Sequence, residues 1–284
     1  MLTAVDHLVI GVAEVAQAVD TYRNLGFTVT NGEDAEDAGH QPAYVVFGDF
    51  YIEFRAMENS PREQRQAASG REFSEAEGIH TIVFRSDDLD ADVARLKSNG
   101  FRVSNLVDDR IDTRGGSRPR RTAVVDSTIP VRLIEQNHTA ERPTFVGDAT
   151  PHPNTATVLE RTYLAVESID RELEMFEQLL GLPAPEPEMG TVIMSMMSVF
   201  YLGDVGIAVA EPRGAGPTAN ALSTNGPGLF QLLFRAEHLD RAAALMVENG
   251  VPSPTRGTRL SGESALLVEP AHACNLFVAL AGQQ

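Results

Sequence analysis

Two histidines and two glutamates, each inside an otherwise apolar run, are the residues of this chain best suited to chemistry. His7 interrupts VDHLVIGV and His80 interrupts IHTIVF, while Glu53 and Glu135 interrupt YIEF and RLIEQ. A carboxylate in an apolar strand is costly to bury unless it is paired, hydrogen-bonded or bound to a metal. Two imidazoles with two carboxylates form a competent ligand set for Zn, Ni, Fe, Mn or Co, with positions left open for water or substrate.

Each of these residues, taken alone, also fits a structural role. A histidine in a buried strand is commonly hydrogen-bonded to backbone, and a strand glutamate commonly faces solvent. In an extended strand, alternation places His7 on one face with Val5, Val9 and Gly11. The metal hypothesis therefore depends on whether the four residues recur in a pattern.

An internal repeat supplies that pattern. A strand followed by an amphipathic helix and a glycine occurs four times, with the helices ending at Gly26, Gly100, Gly181 and Gly250. Each unit is followed by short β-rich runs, with turn signals at Gly48–Asp49 and Gly203–Asp204. The sequence predicts an α+β fold of four β-α-β-β-β modules.

Length and composition divide these modules into two domains. A chain of 284 residues is long enough for two domains with separate cores. Modules 1–57 and 78–137 are predicted to form a first domain, 1–137, and residues 158–284 a second. Residues 138–157, rich in proline, threonine and small residues, are predicted to be the linker, in which His152 and Asn154 fasten the domains together. Pro212 to Gly228 is predicted to be a long loop that frames a site.

Alignment of the four modules shows where the candidate ligands recur. The positions of His7 and Glu53 are occupied by His80 and Glu135 in the second module, by Arg161 and Ala208 in the third, and by Phe230 and Ala279 in the fourth. A purely structural requirement of the repeat would be expected in all four modules. If the first module pairs with the second, all four candidates converge; if it pairs with the fourth, His7 and Glu53 face Phe230 and Ala279.

Further polar residues lie beside these positions. Tyr51 and Arg55 share a face with Glu53, and Arg55 is interpreted either as a ligand for a substrate carboxylate or phosphate or as one half of an ion pair. Asn137 follows Glu135 on the same face. The predicted substrate-binding residues are Arg55, Tyr51, Asn137 and Arg121. The segment DDRIDTRGGSRPRRT, which ends near Arg121, is arginine-rich and is either a solvated loop or an anion-recognising lid.

Overall charge and composition exclude several classes of function. The net charge of −17 comes from acidic residues spread along the chain, which argues against binding to nucleic acid or anionic membranes. Cys274 is the single cysteine, so no internal disulfide is expected. No run approaches the roughly 20 apolar residues of a membrane helix, and the N-terminal residues do not resemble a signal peptide. We expect a cytoplasmic protein with a small-molecule substrate.

Together, the paired modules, the YRNLGF helix end, and the histidine and glutamate positions resemble the vicinal oxygen chelate superfamily of glyoxalases, bleomycin-resistance proteins and dioxygenases. The resemblance covers essentially the whole chain, and the linker HPNTATVLERTYLAV is similar to those of two-domain glyoxalase-like members. It implies two tandem domains, the first of which holds one divalent metal. By position, the resemblance gives His7, Glu53, His80 and Glu135 as its ligands.

A His/Glu/His/Glu set resembles that of glyoxalase I, which implies a lyase or isomerase in which a carboxylate moves a proton between adjacent carbons. By this analogy Glu135 is the first choice for the base and Glu53 the second. An Fe(II)-dependent dioxygenase and a non-catalytic binding or resistance protein are the alternatives. The second domain, without ligands, is expected to cover the site, stabilise the first domain or mediate a homodimer.

Overall fold

A computed structural model describes residues 1–31, 42–56, 78–113, 116–136, 146–259 and 261–282. The first module contains β1 (Leu2–Val12), α1 (Val15–Asn24), β2 (Thr30–Asn31), β3 (Ala43–Phe47) and β4 (Phe50–Ala56). The second contains β5 (Gly78–Ser86), α2 (Leu89–Ser98), β6 (Arg102–Val103), β7 (Val107–Thr113), β8 (Gly116–Asp126) and β9 (Val131–Gln136).

The second half of the chain repeats this order. The third module contains β10 (Ala156–Ala165), α3 (Ile169–Leu180), β11 (Glu188–Gly190), β12 (Ser195–Leu202) and β13 (Val205–Pro212). Helix α4 (Pro217–Asn225) leads to the fourth module, with β14 (Gly228–Ala236), α5 (Leu239–Glu248), β15 (Thr255–Thr258), β16 (Ser264–Val268), a 3-10 turn (Pro270–His272) and β17 (Phe277–Gly282). None of the described helices is long and apolar enough to cross a membrane.

Strand pairing joins the modules in sequence order. Strand β1 lies between β4, to which it is parallel, and β5, to which it is antiparallel. Strand β10 is placed in the same way between β13 and β14. The first module therefore pairs with the second and the third with the fourth, as two curled sheets that meet where β5 touches β14. The predicted α+β fold of four modules is confirmed.

The helices cover one face of each sheet, which we call the outer face. Leu8, Ile52 and Ile82 lie there in one large core with the apolar sides of the helices. The opposite, inner face of the first sheet carries a separate small cluster of Val9, Val83 and Ile134. The four predicted helix stops are confirmed, since the glycines after the helices all have positive φ, between +70° and +88°.

A β-bulge changes the alternation predicted for β1. Val5 lies opposite Phe84 and His7 lies opposite Val83, so Asp6 is an extra residue between two paired ones. Val5 consequently joins the outer core, and the expectation that it shares a face with His7 is wrong. Asp6 and His7 project side by side to the inner face.

A second bulge lies in β5, at the position of His80. Thr81 pairs with Val9 and Ile79 pairs with Ile10, so His80 is the extra residue there. The side chain of His80 lies outside the described residues, as do Asn137 and residues 138–145 of the predicted linker.

The segment from Pro212 to Gly228, predicted to be a loop, instead contains helix α4. Pro217 stands in its first turn, where the absent N–H costs nothing. Ala221 of this helix packs into the apolar cluster on the inner face of the second sheet. The helix forms because that face, rich in alanine, offers a surface on which it buries apolar area.

Where the linker is described, it lies against the first domain. The Thr28 N–H donates to His152 Nδ1 at 3.1 Å, and Asn154 Nδ2 donates to the Leu25 carbonyl at 2.9 Å. Val146 packs against a pair of inner-face tyrosines, Tyr44 and Tyr51. Through these contacts His152 and Asn154 hold the linker against the first domain.

Candidate functional site

Three polar side chains meet on the inner face of the first sheet. His7 is 7% exposed and Glu53 is 5% exposed. Asp6 Oδ2 lies 2.7 Å from His7 Nδ1, and Glu53 Oε2 lies 3.9 Å from His7 Nε2. Since an ionised carboxylate only accepts hydrogen bonds, His7 Nδ1 donates to Asp6, and Nε2 is the ring nitrogen that faces Glu53.

Asp6 is held in its ionised form by the groups around it. Arg85 donates to Asp6 Oδ1 from Nε at 3.1 Å and from Nη2 at 2.9 Å. Burial by itself would raise the pKa of the Asp6 carboxyl, but the hydrogen bond from His7 and the charge of Arg85 outweigh it and lower that pKa. Asp6 therefore remains an acceptor for His7 at neutral pH.

Glu53 is paired on one oxygen and open on the other. Arg55 donates to Glu53 Oε1 from Nε at 2.8 Å and from Nη2 at 2.6 Å. This leaves Oε2 directed towards His7. The Arg55 side chain is 42% exposed, so it lies at the mouth of the site, and of its two interpretations the ion pair is the one observed.

Two tyrosines form a wall of the site. The Tyr51 ring stacks on His7 with 4.4 Å between ring centroids, and Tyr44 meets Tyr51 edge-on at 5.8 Å. Burial, reinforced by the charges of Asp6 and Glu53, raises the pKa of Tyr51 far above its ordinary value, and burial also raises the pKa of Tyr44. Both phenols stay protonated at neutral pH and shield His7 from water.

Glu135 and Arg121 lie on the other face of the sheet. Glu135 Oε1 accepts from the Leu89 N–H at 3.0 Å, and Oε2 accepts from Arg121 Nη1 at 3.2 Å. Arg121 also donates to Asp90 in the first turn of α2. The carboxylate thus binds the N-terminus of that helix, where exposed amides favour an anion.

These contacts correct two sequence predictions. Glu135 does not reach His7 and Glu53, so it is neither their fellow ligand nor the base beside them, and Arg121 does not face the inner side. The physical reason is strand parity. Ile134 projects to the inner face, so its neighbour Glu135 projects outwards. Asn137, predicted to bind substrate, lies outside the described residues.

Strand register identifies the true counterparts of the candidate ligands. Leu8 pairs with Ile52 in the first module, as Ile82 does with Val131 in the second and Leu232 with Val278 in the fourth. The position of His7 is therefore taken by Thr81 and Gln231, and that of Glu53 by Arg132 and Ala279. Phe230, aligned with His7 from sequence, is instead the counterpart of His80, since both stand at a bulge.

The second domain shows which parts of the site belong to the general architecture. Glu160 stands at the bulge of β10, as Asp6 does in β1, and accepts from Arg235 Nη1 at 3.0 Å. Arg235 is the counterpart of Arg85, so both domains contain the same acid–arginine pair. His7 and Glu53 have no such counterparts in the second domain, where Arg161 and Ala208 take their places.

Sequence reasoning missed Asp6 and Arg85. The signal was present, because an acid precedes the aligned residue in both the first and third modules, Asp6 before His7 and Glu160 before Arg161. Among the residues that the structure describes, no group of three His, Cys, Asp or Glu side chains is arranged to hold a metal. His7 and Glu53 supply two donors.

A family model described as Glyoxalase-like domain matches residues 5–180. No protein of curated function matches the chain. Among solved structures, a triply substituted 4-hydroxymandelate synthase from Streptomyces coelicolor is similar, with a TM-score of 0.68 and 15% identity over 99% of this chain and 92% of that one.

Two further solved structures are similar over the full length. A hypothetical protein from Staphylococcus aureus has a TM-score of 0.62 and 11% identity, covering 99% of this chain and 100% of its own. A xylose isomerase-like TIM barrel/4-hydroxyphenylpyruvate dioxygenase fusion protein has a TM-score of 0.66 and 14% identity, and this chain spans 49% of it. At these identities the similarity shows a shared fold.

Proposed function

Since the chain belongs to the Glyoxalase-like domain family, within the vicinal oxygen chelate superfamily, we propose that it is a metal-dependent enzyme acting on a small substrate with neighbouring oxygen atoms. The site is the inner face of the first sheet. The observation that carries the proposal is the Asp6–His7–Glu53 arrangement, in which one buried carboxylate binds Nδ1 of a buried histidine and a second buried carboxylate faces its Nε2.

The donors present fit a divalent metal in part. Histidine nitrogen and carboxylate oxygen bind such ions at about 2.0–2.2 Å, so two ligands of one ion lie within about 4.4 Å of each other. The separation of 3.9 Å between His7 Nε2 and Glu53 Oε2 meets this limit. A carboxylate on the other nitrogen of a ligand histidine is the usual supporting arrangement at metal sites, and Asp6 provides it.

We propose His80 as the third ligand. Its counterpart in the second domain, Phe230, packs in the inner-face cluster with Tyr163 and Phe277, so a residue at this bulge has a route to the inner face. Three protein ligands leave room for water or substrate, as in catalytic metal sites. This set replaces the four ligands predicted from sequence, because Glu135 faces the outer side.

In the first candidate reaction, a lyase or isomerase, the bound metal supplies polarisation of a substrate carbonyl. Glu53 takes the proton from the carbon beside that carbonyl and delivers it to the adjacent carbon or to the leaving group. Arg55 holds Oε1 of Glu53, which leaves Oε2 for either the metal or the proton, but not for both at once. Asp6 fixes the orientation of His7, and the two tyrosines exclude water.

The second candidate reaction is oxygenation. Two histidines and one carboxylate are the ligand set typical of non-haem Fe(II) oxygenases, and exclusion of Glu135 leaves that set. Two of the similar structures are named as a 4-hydroxymandelate synthase and a 4-hydroxyphenylpyruvate dioxygenase fusion. Substrate-dependent consumption of oxygen by the Fe(II)-loaded protein would favour oxygenation, whereas turnover under anaerobic conditions would favour the lyase or isomerase.

Metal titration of purified variants tests the site. We expect His7→Ala, Glu53→Gln and His80→Ala each to weaken binding of Co(II) or Fe(II) about tenfold or more. Glu135→Gln and Arg161→Ala are matched controls that should bind metal like the wild type. A wild-type protein that binds no divalent metal would refute the proposal, as would equal losses in Glu135→Gln and Glu53→Gln. Metal binding without turnover would instead favour the non-catalytic alternative.

A further inference from the structure

An arginine beside Arg121 lies on the inner face of the first sheet. Directly opposed residues of an antiparallel pair project to the same face. Thr122 of β8 lies opposite Ile134, which packs inwards with Val9. Arg120, two residues before Thr122, therefore projects to the inner face, and its neighbour Arg121 projects to the outer face.

Arg120 shares this face with the proposed site. Ile134 of β9 packs against Val9 of β1, and Val9 pairs with Glu53 of β4, so all three lie on the inner face. That face continues from β9 to its neighbour β8, from which Arg120 projects.

Comparison with two other inner-face arginines shows that Arg120 is only partly engaged. Arg85 places both Nε and Nη2 on Asp6, and Arg55 places both on Glu53. Arg120 places Nη2 on Asp109 at 2.7 Å, while its Nε is buried and has no hydrogen-bond partner among the described residues. The Asp109 side chain is 52% exposed.

A buried N–H of a charged group is costly to leave without an acceptor. A carboxylate binds a guanidinium through two parallel hydrogen bonds, and the edge formed by Nε and Nη2 suits it. The two carboxylates already in the site, Asp6 and Glu53, disfavour a dianion such as phosphate. A singly charged carboxylate is therefore the group that best satisfies the hydrogen-bond donors of Arg120.

We propose that Arg120 is a substrate-binding residue and that the substrate is a small carboxylic acid, whose carboxylate binds the Nε and Nη2 edge of Arg120 while its neighbouring oxygens reach His7 and Glu53. The proposal rests on the proposed function for the identity of the site. It assigns to Arg120 the role that sequence analysis gave to Arg121.

Paired probes that differ in charge test this inference. Pyruvate and 2-oxohexanoate carry a carboxylate beside a carbonyl, and their methyl esters do not carry the charge. By titration calorimetry on Co(II)-treated protein, we expect the wild type to bind at least one acid about tenfold or more tightly than its ester. Arg120→Gln should lose this preference. Arg120→Lys keeps the charge but lacks the two parallel donors, so it should retain part of the preference. Arg121→Gln is the matched control on the outer face and should keep it in full.

Several results would overturn the assignment. They are absence of binding of both acids to the wild type, tighter binding of inorganic phosphate than of either acid, and equal effects of Arg120→Gln and Arg121→Gln. Circular dichroism of each variant reports whether it is folded, and Arg120→Lys supplies the comparison if Arg120→Gln is not. The two proposals fail separately. Charge preference without metal binding would refute the proposed function alone, and metal binding without charge preference would refute this inference alone.

Discussion

At the scale of single residues, Asp6 is the side chain that decides how His7 can act. Its carboxylate accepts from Nδ1, so Nε2 is the nitrogen left for a metal or a proton. An asparagine in its place both donates and accepts, and so no longer selects one tautomer. We expect Asp6→Asn to weaken metal affinity about 10–100-fold, measured by Co(II) titration.

The second domain supplies the control for this substitution. Glu160 stands at the equivalent bulge and has the equivalent arginine partner, Arg235. Glu160→Gln should cost a similar amount of stability, because it weakens the same kind of pair, and it should leave metal affinity unchanged. If both variants lost metal affinity equally, Asp6 would have an architectural role only.

The same scale shows what sequence could and could not place. His7 and Glu53 were predicted together, because both interrupt apolar strands in the same module, and the structure places them 3.9 Å apart. Glu135 was misplaced because β9 carries apolar residues on both faces, Leu133 on the outer and Ile134 on the inner. Alternation in RLIEQ separates Ile134 from Glu135, but only packing against α2 shows which of them faces outwards.

At the scale of elements, the sequence predicted the repeated turns and helix ends but not the bulges or helix α4. The four glycine stops and both Gly–Asp turns were predicted correctly, since each has a local chemical signature. The bulges at Asp6 and His80 leave no such signature, and one extra residue moves the rest of a strand to the other face. Helix α4 was missed because its stability comes from packing on the second sheet rather than from its own composition.

The helix stop at Gly26 also shapes the contact between domains. A Cβ at Gly26 would lie 2.8 Å from Asn154 Cβ in the linker and 2.6 Å from Leu245 Cδ2 in α5, whereas a Cβ at Gly100 meets nothing within 4 Å. Both glycines have φ above +80°. Alanine therefore costs roughly 1–2 kcal/mol at either position through the left-handed backbone, and overpacking adds roughly 1–3 kcal/mol at Gly26 alone.

Urea unfolding of Gly26→Ala and Gly100→Ala separates these two costs. We expect Gly26→Ala to be the less stable variant by the overpacking contribution. Equal losses would mean that the linker and α5 move aside without cost, and that Gly26 serves only to end α1.

At the scale of the whole molecule, the two domains share one arrangement of strands and helices but differ in the residues of their inner faces. Both keep an acid at an equivalent bulge, Asp6 in β1 and Glu160 in β10, and an arginine on the paired strand. The first adds His7, Glu53 and further arginines on its inner face, while the second places alanines at the positions of Glu53 and Arg132 and covers them with α4. Among the described residues, this division favours the first domain as the place of the proposed site, with the second domain as a packed support.

The join between the domains is expected to weaken in acid because of His152. This histidine is buried against Phe47, with 4.4 Å between ring centroids, and accepts a hydrogen bond from Thr28. Burial lowers the pKa of His152 from 6.5 to about 4. Between pH 6.5 and 4, His152 is protonated in the unfolded chain and stays neutral in the folded chain. Stability is therefore complete above pH 6.5, falls between pH 6.5 and 4, and levels off below, for a total of up to about 3 kcal/mol.

Comparison with His152→Gln isolates this effect, because every other titrating group is common to the two proteins. At pH 7 the wild type should be the more stable in urea, since it keeps the aromatic packing and the hydrogen bond from Thr28. At pH 4.5 most of that advantage should be gone. An advantage equal at both pH values would show that the folded protein accommodates protonated His152, and that the linker is fastened chiefly by Asn154, whose bonds to Leu25 and Gly26 do not titrate.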